Sequence, residues 1–149
     1  FIELGKKLVS RGERVAVCCI AKERPSAERI AAAIGLGAAV CEGNFMTFAH
    51  YISRMKLFVG NDSALIHVAA AVGTKSVALF GPENPEEWHP YEEKDGHTAI
   101  SKLKEIEAGG RDIMDRKFRE KSLEPIMRIT PGEVYDAAVK LLERQGRAG

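Results

Sequence analysis

Three cysteines, four histidines and one tryptophan in 149 residues are few, and each scarcity narrows the field. Cys18, Cys19 and Cys41 are odd in number and lie in apolar runs, which argues against a disulfide framework and suits the reduced thiols of a cytosolic protein. Neither they nor His50, His67, His89 and His97 show metal-ligand spacing, so no metal site is expected. No apolar run approaches the roughly 20 residues that a membrane span needs. An excess of charge of one sign is lacking too: Lys and Arg number 22 against 21 Asp and Glu, a formal net charge of +1. No general field draws the chain to nucleic acid or an acidic membrane, so an anionic ligand must be held locally. Neither a Walker A sequence nor G-x-G-x-x-G occurs, which removes P-loop hydrolysis and the usual dinucleotide fingerprint.

What is present is an ordinary globular composition, 45% hydrophobic and 29% charged, over a length that suits one domain spanning 1–149. The chain begins without Met, on a segment (Phe1 to Arg11) with apolar residues at helical spacing and no cap, as though a helix were entered partway. The expectation is a piece of a longer chain. Arg14 to Ile20 reads as a strand buried on both faces, and Pro25 opens a helix that Gly35 stops. A strand near Ala38 to Cys41, a helix from Phe45 to Arg54 and a strand from Leu57 to Gly60 follow. Beyond Asp62 a helix carrying Leu65, Val68, Ala69 and Val72 ends at Gly73, and Ser76 to Phe80 forms the next buried strand. From Gly81 to Gly96 runs a loop longer than usual, and Thr98 to Ile100 is a short last strand. Lys102 to Arg128 is charged, with mixed periodicity and a break at Gly109 and Gly110. Thr130, Pro131 and Glu133 then open a final amphipathic helix through a capping box, and the tail after Gln145 is expected to fray. Strands alternating with helices predict an α/β, Rossmann-like, doubly wound and mostly parallel sheet.

In such sheets ligands bind beyond the carboxyl ends of the strands, which directs attention to the residues after Ile20, Cys41, Gly60 and Phe80. Asp62 and Ser63 leave a strand and open a helix, where free N–H groups and the positive dipole end favour a phosphate. The competing reading is that one of them merely caps the helix. His67 lies one turn further along, on the face of Ser63, and serves either the ligand or the core. A hydrolase triad from Asp62, Ser63 and His67 lacks the G-x-S-x-G elbow. Glu23, three residues beyond the first strand, stands where an acidic group can accept from ribose hydroxyls, or is a solvated charge between Lys22 and Arg24. The long loop offers Glu83, Asn84, Trp88, His89 and Tyr91, whose aromatic members either pack on a ligand ring or cover the sheet.

The run Asn61 to Pro82, NDSALIHVAAAVGTKSVALFGP, resembles the signature of glycosyltransferase family 9, the lipopolysaccharide heptosyltransferases and their relatives, written loosely D-(S/T)-G-x-x-H-x-A-A-A-x-G-x-P-x-V-A-L-F-G-P-T. The resemblance extends more thinly over the whole chain. It implies the C-terminal, donor-binding half of a two-domain GT-B transferase that moves a sugar, such as heptose, from a nucleotide-sugar to a lipopolysaccharide core or related acceptor. By that resemblance Asp62 would hold donor-sugar hydroxyls, the Ser63 and Ala64 amides would cradle the diphosphate, and His67 would support that turn or touch phosphate. Glu23 would contact ribose, while Gly43, Asn44 and Phe45 would border adenine. The resemblance further implies an ADP-sugar donor, no metal or cofactor, a catalytic base in an N-terminal half, a glycolipid acceptor met through that half, and a cytoplasmic protein peripheral at the inner membrane face.

Three positions depart from the signature: Ala64 stands for Gly, Lys75 for Pro and Glu83 for Thr. Ala64 requires either a negative φ or a changed approach to phosphate, and Glu83 would repel a diphosphate unless it points away or binds sugar hydroxyls. Lys75 reads as a harmless change before a strand. These changes keep open a non-catalytic nucleotide-binding or regulatory module. A sugar-phosphate isomerase or epimerase is a further rival, and it would need a full acid/base set from Asp62, Glu23, His67 and His89.

Overall fold

The computed structural model describes residues 1–144, with the backbone alone at 116 and 121; the tail after Gln145 lies outside the described residues. Two compact units divide the chain, Phe1–Tyr51 and Ile52–Gly149. In the first, α1 (Ile2–Ser10) leads to β1 (Val15–Cys19), and α2 (Arg24–Ile34) follows with Pro25 in its first turn. β2 (Ala38–Glu42) pairs with β1 in parallel, so that Cys18 faces Cys41 in register. The helix α1 packs on α2 closely enough that a Cβ on Gly5 would stand 2.4 Å from Ile34. Gly35 ends α2 at φ 101°, a conformation that a side chain would strain. The expectation that β1 is buried on both faces fails: Ala16 is exposed, and Val15, Val17 and Cys18 are half-buried. Its only ladder among the described residues is with β2. Burial and the neighbouring Cys41 and Cys19 still push the Cys18 thiol up to about 11, which keeps it protonated at neutral pH.

The helix α3 (Phe45–Ser53) crosses from the first unit to the second. In the second unit β3 (Leu57–Asn61), β4 (Lys75–Leu79) and β5 (His97–Ile100) form a parallel sheet in that order, with α4 (Ala64–Ala71) as the crossover from β3 to β4. β4 is central and, from Ser76 on, buried, as its β-branched and apolar run predicts. Ile66 of α4 packs on Ala78 and Phe80, and Phe58, Tyr91 and Ala99 close over that cluster. Burying a side chain such as Phe80, 1% exposed, contributes about 1.5–3 kcal/mol. The last helix, here α9 (Pro131–Glu143), packs on all three strands through a face that includes Val134, Ala138 and Leu141.

Between β4 and β5 the long loop contains a single turn, α5 (Pro85–Trp88), and a 3-10 turn at Glu93–Asp95. The charged stretch resolves into short pieces, α6 (Leu103–Ala108), α7 (Arg116–Lys121) and α8 (Glu124–Met127), and Gly110 makes the expected break at φ 89°. Lys75 is more than a neutral replacement: its Nζ donates to the Leu141 carbonyl at 2.9 Å, where a cation also suits the negative end of α9. A proline there could make no such bond.

Candidate functional site

Parallel pairing of β3 with β4 sends both carboxyl ends the same way, and Asp62 leaves β3 there with its backbone N–H donating to the Leu79 carbonyl at 2.9 Å. That bond continues the ladder by one residue and fixes where the turn begins. Ser63 is the N-cap of α4, extended at φ −166°, ψ 166°, and its hydroxyl makes no capping bond. The first turn closes through backbone alone, Ile66 N–H donating to the Ser63 carbonyl at 3.1 Å. The reading of Ser63 as a side-chain cap therefore fails, and so does that of Asp62, whose carboxylate has no hydrogen-bond partner among the described residues. Burial raises the Asp62 pKa, Glu83 raises it further, and His67 acts in the opposite direction.

Ala64 opens α4 with negative φ, since among the described residues only glycines have positive φ. The departure from Gly therefore leaves the helix start unstrained, and the Ser63, Ala64 and Leu65 amides have no intrahelical partner there by the geometry of any helix start. Glu83 does not stand alone: its carboxylate accepts from Arg119 at 3.1 Å, so the repulsion it would exert on an anion is partly offset. His67 is exposed, and its Nδ1 lies 2.8 Å from the Tyr91 hydroxyl, with ring centroids 5.7 Å apart. Tyr91 also meets the rings of His89 and His97, at 5.3 and 5.2 Å, and His89 sets its edge against Phe80. His89 and Tyr91 thus cover the sheet, whereas Trp88 remains 53% exposed. Burial lowers the pKa of both His89 and His97, and His97 Nδ1 meets Ser76 Oγ at 2.9 Å.

The loop carrying Tyr91 is fastened along its length. Lys104 meets Glu86, while Lys140 and Arg144 meet Glu93. Each such exposed pair contributes little alone, but together they restrict one segment. At the end of β5, Lys102 is bound by Glu105 and Glu133, tying the strand to α6 and α9. Sequence reasoning passed over Lys102 and Arg119. Lys102 was findable, two residues beyond a strand end; Arg119 sits in the stretch of mixed periodicity and carried no signal.

Of the residues singled out in advance, Asp62, Ser63, Ala64 and His67 lie together on the β3–α4 turn and the first turns of the helix. Glu23 belongs to the first unit, at the end of a 3-10 turn (Ala21–Glu23) that opens α2. It is exposed, and Arg24 bonds Glu28 and Glu42 rather than it. Asn44 caps α3, accepting from Thr47 N–H at 3.0 Å, and Phe45 is 52% exposed.

Parallel strands joined by helices, with a helix start just beyond the strand ends, define an α/β protein built on parallel sheets. The chain belongs to glycosyltransferase family 9 (heptosyltransferase), whose profile matches residues 1–115. Lipopolysaccharide heptosyltransferase 2 of Salmonella typhimurium is 28% identical over 98% of this chain and 42% of its own length. The enzyme of the same name from Escherichia coli is 34% identical over 63% of this chain and 29% of its own length. Among solved structures, the Escherichia coli ADP-heptose lipopolysaccharide heptosyltransferase II superposes with a TM-score of 0.75 and 26% identity, over 97% of this chain and 41% of that one. A family 9 glycosyl transferase from Veillonella parvula shares the fold, with a TM-score of 0.78 and 21% identity over 97% of this chain and 40% of its own. The chain therefore spans less than half the length of these relatives. Among the described residues no helix is long and apolar enough to cross a membrane.

Proposed function

We propose that this chain is the donor-binding part of a GT-B glycosyltransferase that moves a sugar, heptose by analogy with its relatives, from a nucleotide-sugar to a lipopolysaccharide core. The observation that carries this reading is the unpartnered Asp62 carboxylate and Ser63 hydroxyl at an open helix start, in a chain of family 9. In this reading Asp62 accepts from donor-sugar hydroxyls, the Ser63 and Ala64 amides receive the diphosphate, and His67 adds a ring nitrogen to the same anion. Glu23 accepts from the ribose hydroxyls. An ADP-sugar is the favoured donor because a solved relative is named for ADP-heptose. The helix dipole stabilises the leaving diphosphate, and the base that activates the acceptor belongs to a part outside this chain. The complete protein works at the cytoplasmic face of the inner membrane, where a glycolipid acceptor is presented.

Calorimetric titration with ADP, UDP, GDP and their sugars tests this. The 149-residue chain binds a nucleoside diphosphate weakly, ADP best, and transfers no sugar by itself. No binding of any nucleotide, or turnover by the chain alone, overturns the proposal.

A further inference from the structure

Resting on that donor-site reading, we infer that Tyr91 is a positioning residue which fixes the tautomer and the ring orientation of His67, so that Nε2 carries the proton offered to the donor's diphosphate. Tyr91 Oη and His67 Nδ1 lie 2.8 Å apart, and the phenol's one proton is the one we assign to that bond. Donation there leaves the neutral imidazole with its proton on Nε2, a donor suited to a phosphate oxygen. Without that partner the two tautomers of an exposed imidazole interchange, and one of them presents a lone pair to the anion. Tyr91 can impose this because its own ring is held: it closes over the Ile66, Ala78 and Phe80 cluster and meets the rings of His89 and His97 at 5.3 and 5.2 Å. The loop beyond it is tied to α9 through Glu93, which meets Lys140 and Arg144. His67 sits four residues into α4 from the Ser63 cap, on the same face and one turn from the open amides. This arrangement, a packed, half-buried ring whose hydroxyl sets the proton of an exposed histidine beside the helix start, follows the same logic as the partners that orient histidines at metal and catalytic centres.

The test is Tyr91→Phe in the complete protein, which removes one oxygen and keeps the ring packing, with His67→Ala for reference. ADP titration gives about a five-fold loss of affinity for Y91F, the worth of one neutral hydrogen bond, and about a ten-fold loss for H67A. Histidine-selective 15N spectra show His67 with Nε2 protonated and Nδ1 unprotonated in the unsubstituted protein, and as a mixture of tautomers in Y91F. Affinity unchanged by Y91F while H67A weakens binding overturns the role of Tyr91 alone. A failure of the unsubstituted protein to bind ADP, UDP or GDP overturns the donor-site reading and this inference with it. Should Y91F not fold, the spectrum of the unsubstituted protein decides: a proton on Nδ1 overturns the inference, and one on Nε2 upholds it.

Discussion

Two helices of the second unit begin with a hydroxyl residue in extended backbone, and they treat that hydroxyl in opposite ways. At α9, Thr130 Oγ1 accepts from the Glu133 N–H at 3.2 Å, and the Glu133 carboxylate accepts from both the Thr130 N–H and its hydroxyl at 2.8 Å. Lys102 completes the set on the other carboxylate oxygen, and Pro131 brings no N–H to satisfy. At α4, Ser63 makes no side-chain cap and the preceding Asp62 carboxylate has no hydrogen-bond partner among the described residues. One helix start closes on itself and holds the fold together. The other is left open, and its unmet hydrogen-bonding capacity is what a donor's diphosphate and sugar hydroxyls would fill.

The largest effect that separates the two is expected at Asp62. Asp62→Ala lowers nucleotide-sugar affinity roughly 30-fold, about 2 kcal/mol, the worth of hydrogen bonds to a charged group. Its stability effect has the other sign. Because the folded state raises the Asp62 pKa, ionisation there costs stability above the ordinary carboxyl range, so Asp62→Asn leaves the unfolding midpoint at pH 7 unchanged or higher. A lowered midpoint with intact binding would make Asp62 a structural residue and erase the contrast. Next in size is the closed cap: Thr130→Ala costs about 1 kcal/mol in urea unfolding and leaves ADP affinity alone.

Acid titration sharpens the comparison further, because the two kinds of group fail in different windows. Burial lowers the His89 and His97 pKa from the usual 6.5, so the stability they contribute is complete above about that pH and declines as pH falls through their folded values. Glu133 is held down to about 2 from 4.5 by Lys102 and by the Thr130 N–H and hydroxyl, so its contribution is complete above 4.5 and is lost as pH falls from there toward 2. Urea midpoints measured from pH 8 to pH 2 therefore fall in two steps. Glu133→Gln shrinks the lower step, to which Glu86 and Glu93 also contribute, and leaves the upper; a profile unchanged by that substitution would contradict the capping account.

The closed helix start was legible in the sequence because its chemistry is local: Thr, Pro and Glu at fixed offsets specify a capping box without help from the rest of the chain. Asp62 and Ser63 were legible as a strand-to-helix turn for the same reason, and the family signature singled them out. Whether they cap or stay open was not, since both outcomes use the same residue types and differ only in a rotamer. The bonds that decide the site's character join distant positions: Tyr91 to His67, Arg119 to Glu83, Lys75 to the carbonyl of Leu141. No periodicity records such pairs. The exposure of Ala16 in β1 escaped the sequence for a related reason, since a short apolar run looks the same whether or not both faces of its strand are covered.

The smallest expected effect is also the most discriminating. Ser63→Ala changes unfolding free energy by less than about 0.5 kcal/mol, because the hydroxyl it removes caps nothing, whereas an N-cap serine that bonds its helix typically costs about 1 kcal/mol to replace. Thr130→Ala in the same protein supplies the internal standard for that cost. If the donor's diphosphate is held by backbone N–H groups, Ser63→Ala also leaves ADP affinity nearly intact. A Ser63→Ala loss of stability equal to that of Thr130→Ala would show that the two helix starts are alike, and the open site would then rest on Asp62 alone.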